Sequence, residues 1–174
     1  MAHSQENPYA CDGECIQGTM TEMKTKKLTM LDAKATEKFG EQIGAHLRGG
    51  EVMELVSDLG GGKTTFTRGL ARGASSTDHV ASPTFTISRE YATDKFTIHH
   101  FDFYRLHEAG VVAEELHELV GDPQAVVVVE WSDIVQHVLP ADHLKIEIQQ
   151  TGEEEREFVV SYPESLEYLL GGPA

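Results

Sequence analysis

From residue 27 onward, apolar and polar positions alternate in two periods. "LDAKATEKFGEQIGAHLRGG" (31–50) places Ala35, Phe39, Ile43 and Leu47 four residues apart, the spacing of one helix face. Asp32 is positioned as its N-cap, and Gly49 and Gly50 end it. "EVMELV" (51–56) predicts a short strand, and "KTTFTRGLARG" (63–73) predicts a helix opening on the glycine-rich loop between them. "SPTFTISREY" (82–91) and "KFTIHHFDFY" (95–104) are strand-like, rich in β-branched and aromatic residues. "EAGVVAEELHELVG" (108–121) predicts a helix. "AVVVVEW" (125–131) is a continuous apolar run, as expected of a strand buried on both faces. "LKIEIQQ" and "REFVVSY" alternate and are joined by "TGEEE", which predicts a hairpin. "PESLEYLL" predicts a short terminal helix. Strands interleaved with helices predict an α/β sheet with antiparallel additions, and no internal repeat is evident.

Residues 1–26 are polar and follow neither period, so they are expected to form a disordered extension. Residues 27–174 then make a single domain. A hydrophobic fraction of 40% and a charged fraction of 25% are those of a soluble globular protein. No apolar run approaches the length of a membrane span. Residues 1–30 lack the apolar core of a secretory signal, so the expected compartment is the cytoplasm. A formal net charge of -15 argues against tight unaided binding to nucleic acid, which requires phosphate-neutralising Lys and Arg. The two cysteines, Cys11 and Cys15, are read as thiols of the N-terminal segment, because a zinc site usually takes four ligands.

The loop "SDLGGGKTTF" (57–66) carries the chemistry. It fits the phosphate-loop pattern G-x-x-x-x-G-K-[ST] at Gly62, Lys63 and Thr64, with Ser57 where the first glycine belongs. Strand, glycine-rich turn and helix is the context that this pattern requires. Backbone N–H groups point into a concavity there, and the helix N-terminus adds positive potential. Lys63 is expected to reach the β- and γ-phosphates and Thr64 to bind Mg2+. The fold expected is therefore α/β, a P-loop NTPase-like three-layer fold with a mostly parallel central sheet, antiparallel additions and a C-terminal hairpin. Ser57 admits two readings. If the position needs φ > 0, serine is strained there; if it needs only a small side chain, serine fits.

Phosphate chemistry also needs metal ligands and a group to orient water. Asp102 and Glu130 end two predicted strands, and ligands of open α/β sheets gather at the carboxyl ends of strands. Glu130 follows four valines and is the sharper signal, whereas spacing alone leaves Asp102 balanced between ligand and turn residue. Glu54 interrupts an otherwise apolar strand. Either it has a partner or that face is wetter than a buried strand, a structural position being favoured over a catalytic one.

"DLGGGKTTFTRGLARG", "SPTFTISREY", "HHFDFYRL" and "VVVVEWSD" occur in that order, and together they resemble the TsaE (YjeE) family of bacterial ATPases. The likeness runs from about Thr29 to about Tyr162. It implies slow ATP hydrolysis in the making of threonylcarbamoyladenosine next to the tRNA anticodon. It also implies TsaB- and TsaD-like partners, with tRNA contacted only through the complex. The implied cofactors are ATP and Mg2+. The implied nucleotide-binding residues are Asp58, Leu59, Gly60, Gly61, Gly62, Lys63, Thr64 and Thr65, with Thr84 in a switch-like segment and Trp131 beside the acid. Glu130 corresponds to an acid that binds Mg2+ with Thr64, and Asp102 to an aspartate required for activity and placed with the metal. Lys63, Asp102 and Glu130 form the expected catalytic set. Thr36 corresponds to a residue near the adenine. Ser57 for Gly, Gly61 for Ala, Glu54 in the strand and Phe103 for Leu depart from the family pattern.

Two other functions fit a phosphate loop: a small-molecule kinase, and a non-catalytic interaction subunit with a decayed site. No guanine-reading N-K-x-D motif is present. No arginine-rich lid is apparent among Arg48, Arg68, Arg72, Arg89, Arg105 and Arg156, so low turnover is expected. Arg105 is either structural or a partner contact.

Overall fold

In the computed structural model, which describes residues 22–108 and 110–171, the valine run forms β5 (Ala125–Glu130), buried along its whole length. Val126 and Val128 face one hydrophobic cluster, Val127 and Val129 another. That division explains the lack of alternation: the strand has no wet face.

The described residues form one seven-stranded sheet. The other strands are β1 (Met23–Met30), β2 (Val52–Val56), β3 (Ser88–Ala92), β4 (Thr97–Asp102), β6 (Leu144–Gln150) and β7 (Arg156–Pro163), in the order β1-β7-β6-β2-β5-β4-β3. β6, β2, β5 and β4 run parallel at the centre. β3 and the β6–β7 hairpin with β1 add the antiparallel pairs. This is the expected mixed sheet, and the hairpin turn falls at 151–155 as predicted.

Helices α1 (Ala33–His46) and α2 (Lys63–Gly73) cover one face. Asp32 caps α1, its carboxylate accepting from Ala35 N at 2.7 Å. Phe39, Phe66 and Phe158 pack together where α1, α2 and β7 meet, with ring centroids 5.7–6.3 Å apart. The two helices approach so closely that a Cβ on Gly69 would lie 1.9 Å from the Glu37 carbonyl oxygen. On the other face, α3 (Gly110–Leu119) and a 3-10 turn (Ser132–Val135) cover Val127 and Val129. The terminal segment Glu164–Leu170 is also 3-10.

Two expectations need correction. β1 starts at Met23, so residues 23–26 belong to the sheet and not to the extension. Its polar residues are explained by its position: an edge strand paired only with β7 and largely exposed. Residues 1–21, with Cys11, Cys15 and the rest of the proposed extension, lie outside the described residues. The second concerns 82–91, of which only Ser88 onward is strand. Pro83 has no N–H to donate, its carbonyl closes a turn by accepting from Thr86 N and Ile87 N, and Ile87 adopts φ 69°.

Candidate active site

The carboxyl ends of the parallel strands bring the candidate residues together. Asp102 ends β4, Glu130 ends β5, and the two are register partners. β2, on the other side of β5, runs into the loop Ser57–Gly62, and α2 begins at Lys63. Gly60 (φ 78°) and Gly62 (φ 113°) are left-handed, and the latter is the N-cap of α2. This backbone favours glycine at both positions. Ser57 is not among the positive-φ residues, so serine is not strained there by a left-handed backbone.

A cavity of about 310 Å3 is lined by Leu59 through Thr65, Ser82, Thr84, Asp102, Glu130 and Trp131. Of the residues singled out in the sequence for the phosphate and metal chemistry, only Asp58 is absent from that wall. It is exposed, and its carbonyl accepts from Gly61 N and from Lys63. A second cavity, of about 490 Å3, shares Gly60, Gly62 and Thr65. It extends along the start of α1 at Asp32–Lys34 and Thr36 to Glu153, Glu154 and Arg156 of the hairpin.

Lys63 is buried. Its ammonium donates to Ser57 Oγ (2.9 Å), Ser57 O (3.1 Å) and Asp58 O (3.3 Å), and lies 3.8 Å from Glu130 Oε2. Burial pushes the lysine below its ordinary pKa, against the opposing pull of Glu130, Asp102 and Asp58. The Trp131 ring, 4.7 Å from the ammonium, forms one wall and packs against Tyr104 at 4.9 Å.

Both carboxylates are fixed. Asp102 accepts from Thr84 Oγ1 and from Tyr104 N (2.9 Å), and Ser82 Oγ and Thr84 Oγ1 are 2.7 Å apart. Glu130 Oε1 is 2.8 Å from His100 Nε2. His100 Nδ1 lies 3.4 Å from the Tyr91 hydroxyl, which donates to Ala81 O at 3.0 Å. The segment 81–87 is thus tied to both acids, to Asp102 directly and to Glu130 through Tyr91 and His100.

Thr64, Asp102 and Glu130 supply oxygen donors and two negative charges, a set that suits a hard cation such as Mg2+. Among the described residues no group of three or more His, Cys, Asp or Glu is placed to hold a metal alone. The donor set therefore fits an ion completed by phosphate and water oxygens.

Glu54, the misfit in β2, is 2% exposed and fully partnered. It accepts from Ser132 Oγ and Gln136 Nε2, with His143 Nε2 and Lys145 Nζ each at 3.4 Å. It does not line the cavity at the glycine-rich loop, in agreement with the structural reading. Sequence reasoning missed His100, Tyr104, Glu153, Glu154 and Arg156. Of these, only His100 left a trace, a histidine within an apolar strand. Arg105 stacks on Phe85 at 4.1 Å.

No helix among the described residues is long and apolar enough to cross a membrane. The family model described as "Threonylcarbamoyl adenosine biosynthesis protein TsaE" matches residues 30–158. The tRNA threonylcarbamoyladenosine biosynthesis protein TsaE of Bacillus subtilis is 36% identical over 138 residues, covering 78% of this chain and 84% of its own. The protein of the same name from Nostoc is 36% identical over 117 residues, 66% and 72% of the two chains. The crystal structure of Bacillus subtilis YdiB superposes with a TM-score of 0.72 at 32% identity, covering 86% of this chain and 94% of that one. With its phosphate loop, paired strand-end acids and sheet order in place, the chain belongs to the TsaE family of threonylcarbamoyl adenosine biosynthesis proteins.

Proposed function

We propose that this chain serves tRNA threonylcarbamoyladenosine biosynthesis as a cytoplasmic subunit that binds ATP and hydrolyses it slowly, working with TsaB- and TsaD-like proteins. The observation that carries this reading is the convergence of a glycine-rich loop, Lys63, Thr64 and two adjacent buried carboxylates on one cavity of about 310 Å3.

Loop N–H groups and the N-terminus of α2 attract the phosphates, and Lys63 supplies the charge that offsets Asp102 and Glu130. Thr64, Glu130 and Asp102 would hold Mg2+, which would supply positive charge to offset the charge developing on the phosphates. Asp102 and Glu130 are each fixed by a hydrogen-bonding side chain, so neither must reorganise when ligand arrives. Each Asp102 oxygen keeps a lone pair for a water. The larger cavity, continuous with the loop at Gly60 and Gly62, takes the nucleoside. Among the described residues the arginine that reaches the loop is Arg156, which donates to Gly61 O and lines the larger cavity. The net charge of -15 supports contact with tRNA through partners.

Titration with Mg-ATP and Mg-GTP tests this reading. Trp131, the only tryptophan, stands in the cavity wall. A saturable fluorescence change with ATP, weaker with GTP, and turnover raised by TsaB and TsaD are expected. The absence of heat and of fluorescence change up to millimolar Mg-ATP, in a calorimeter and a fluorimeter, would overturn the proposal.

A further inference from the structure

Ser57 stands where the phosphate-loop pattern has glycine, yet its hydroxyl both donates and accepts. The single hydroxyl proton goes to Asp58 O at 2.9 Å, which leaves a lone pair to accept from Lys63 Nζ at 2.9 Å. An ammonium has three protons to donate. Lys63 directs all three at its own loop: two to the carbonyls of Ser57 and Asp58, one to the Ser57 hydroxyl. A glycine in place of Ser57 would leave only the carbonyls.

Gly61 is not among the positive-φ glycines, so its backbone does not demand glycine. Space does. A Cβ on Gly61 would lie 2.5 Å from Ser57 Oγ and 2.7 Å from Ser57 Cβ. Both groups belong to one short, partly buried side chain that is hydrogen-bonded on two sides. Ser57 and Gly61 therefore make one feature, in which side-chain volume sits at the first position and a hydroxyl comes with it.

We propose that Ser57 is a positioning residue for Lys63, that it pins the ammonium inside the loop before phosphate arrives, and that Gly61 is the steric partner that makes room for it. The benefit to binding rests on the nucleotide reading above. A lysine carries much rotamer freedom, and a third acceptor restricts that freedom before the ligand enters.

The test uses the full chain with Ser57→Ala, Ser57→Gly and Gly61→Ala, and with Gly61→Ala combined with each of the two serine substitutions. In the nucleotide-free protein, 15N NMR reads exchange of the Lys63 ammonium protons with solvent. These protons are expected to be protected in the wild type and exposed in Ser57→Ala. Mg-ATP binding to Ser57→Ala is expected to weaken about tenfold, the size of one lost hydrogen bond to a charged group, and Tm to fall modestly because that bond is already made in the nucleotide-free protein. Gly61→Ala is expected to lower Tm when added to the wild type or to Ser57→Ala, since the clash with a Cβ persists in both. Added to Ser57→Gly, it is expected to lower Tm much less, since only the approach of the new Cβ to Asp58 O, at 3.1 Å, remains.

Equal ammonium exchange and equal affinity in wild type and Ser57→Ala would overturn the positioning role. An equal loss of Tm from Gly61→Ala, whether added to the wild type or to Ser57→Gly, would overturn the pairing. A wild type that fails to bind Mg-ATP, yet shows the protected ammonium and the non-additive Tm cycle, would sink the nucleotide reading while supporting the pinning of Lys63.

Discussion

His100 Nε2 lies 2.8 Å from Glu130 Oε1, and both side chains are buried. A carboxylate only accepts, so Nε2 carries the proton. Without that donor, Glu130 would face Lys63 alone at 3.8 Å. His100→Ala is expected to lower unfolding free energy by about 2 kcal/mol, the cost of an unsatisfied buried group. It should also raise the Mg2+ concentration needed for half-maximal hydrolysis. His100→Gln keeps a donor and should recover most of both losses. Urea unfolding and Mg2+ dependence check this; a variant indistinguishable from wild type in both would show that His100 does not orient Glu130.

On the proposed function, Lys63 offsets two carboxylates that would otherwise repel phosphate. Lys63→Ala is expected to weaken Mg-ATP binding by at least about a hundredfold, since it removes a charged donor and leaves Asp102 and Glu130 uncompensated. Asp102→Asn and Glu130→Gln should bind nucleotide but hydrolyse it far more slowly, separating binding from turnover. Calorimetry and phosphate release under saturating ATP distinguish the two effects. Normal turnover in both carboxylate variants would remove them from the reaction.

The layout of the site was legible because its parts carry local signals. Four valines closed by Glu130, the spacing of Ala35, Phe39, Ile43 and Leu47, and the run Gly60–Thr64 each declare themselves within a dozen residues. What was not legible comes from distant segments or from hydroxyl chemistry. Arg156 reaches Gly61 O at 3.3 Å from the far hairpin, with nothing in its neighbourhood to announce it. By branching alone Thr84 and Thr86 read as strand residues, although the family resemblance places Thr84 in a switch-like segment at the site. In the fold Thr84 donates to Asp102 and Thr86 closes a turn on Pro83. Ser57 reads in sequence as a departure from glycine, and only the fold brings its hydroxyl to Lys63. The lysines of β1 hid a strand because an edge strand has little apolar surface to advertise.

The packing of α2 against α1 sets where the phosphate loop ends, and glycines control it. A Cβ on Gly69 would lie 1.9 Å from Glu37 O, and one on Gly44 2.1 Å from Leu70 O. Both obstacles are backbone, so relief requires moving a helix. Gly69→Ala is expected to destabilise by about 1–3 kcal/mol, in the range of overpacked cores, despite alanine's better helix propensity. Thermal unfolding checks the sign. A stabilised Gly69→Ala would mean that propensity outweighs the clash.

The cluster around Glu54 makes stability depend on pH in two directions. Burial pushes the Glu54 carboxyl up, but hydrogen bonds from His143 and Ser132, the Lys145 charge and the Gln136 amide outweigh it and hold Glu54 at about 2. A pKa lowered from 4.5 to about 2 contributes stability that is present above the unfolded value and lost as pH falls from about 4.5 toward 2. The full contribution is about 3 kcal/mol. His143 has the opposite sign. Its Nδ1 is 2.6 Å from Pro140 O and its Nε2 faces Glu54, two acceptors that require both ring protons. The hydrogen bond it donates to Glu54 raises its pKa despite burial, so its contribution is present below 6.5 and lost as pH rises through the higher folded value. Both shifts report one interaction and do not add. Glu54→Gln should flatten the acid limb between pH 4.5 and 2 and the loss above pH 6.5 together, and His143→Gln should flatten only the latter in full. Urea unfolding at fixed pH steps measures both limbs. An acid limb unchanged in Glu54→Gln would show that another carboxylate governs it, and with it that the charge on β2 does not stabilise the strand leading into the phosphate loop.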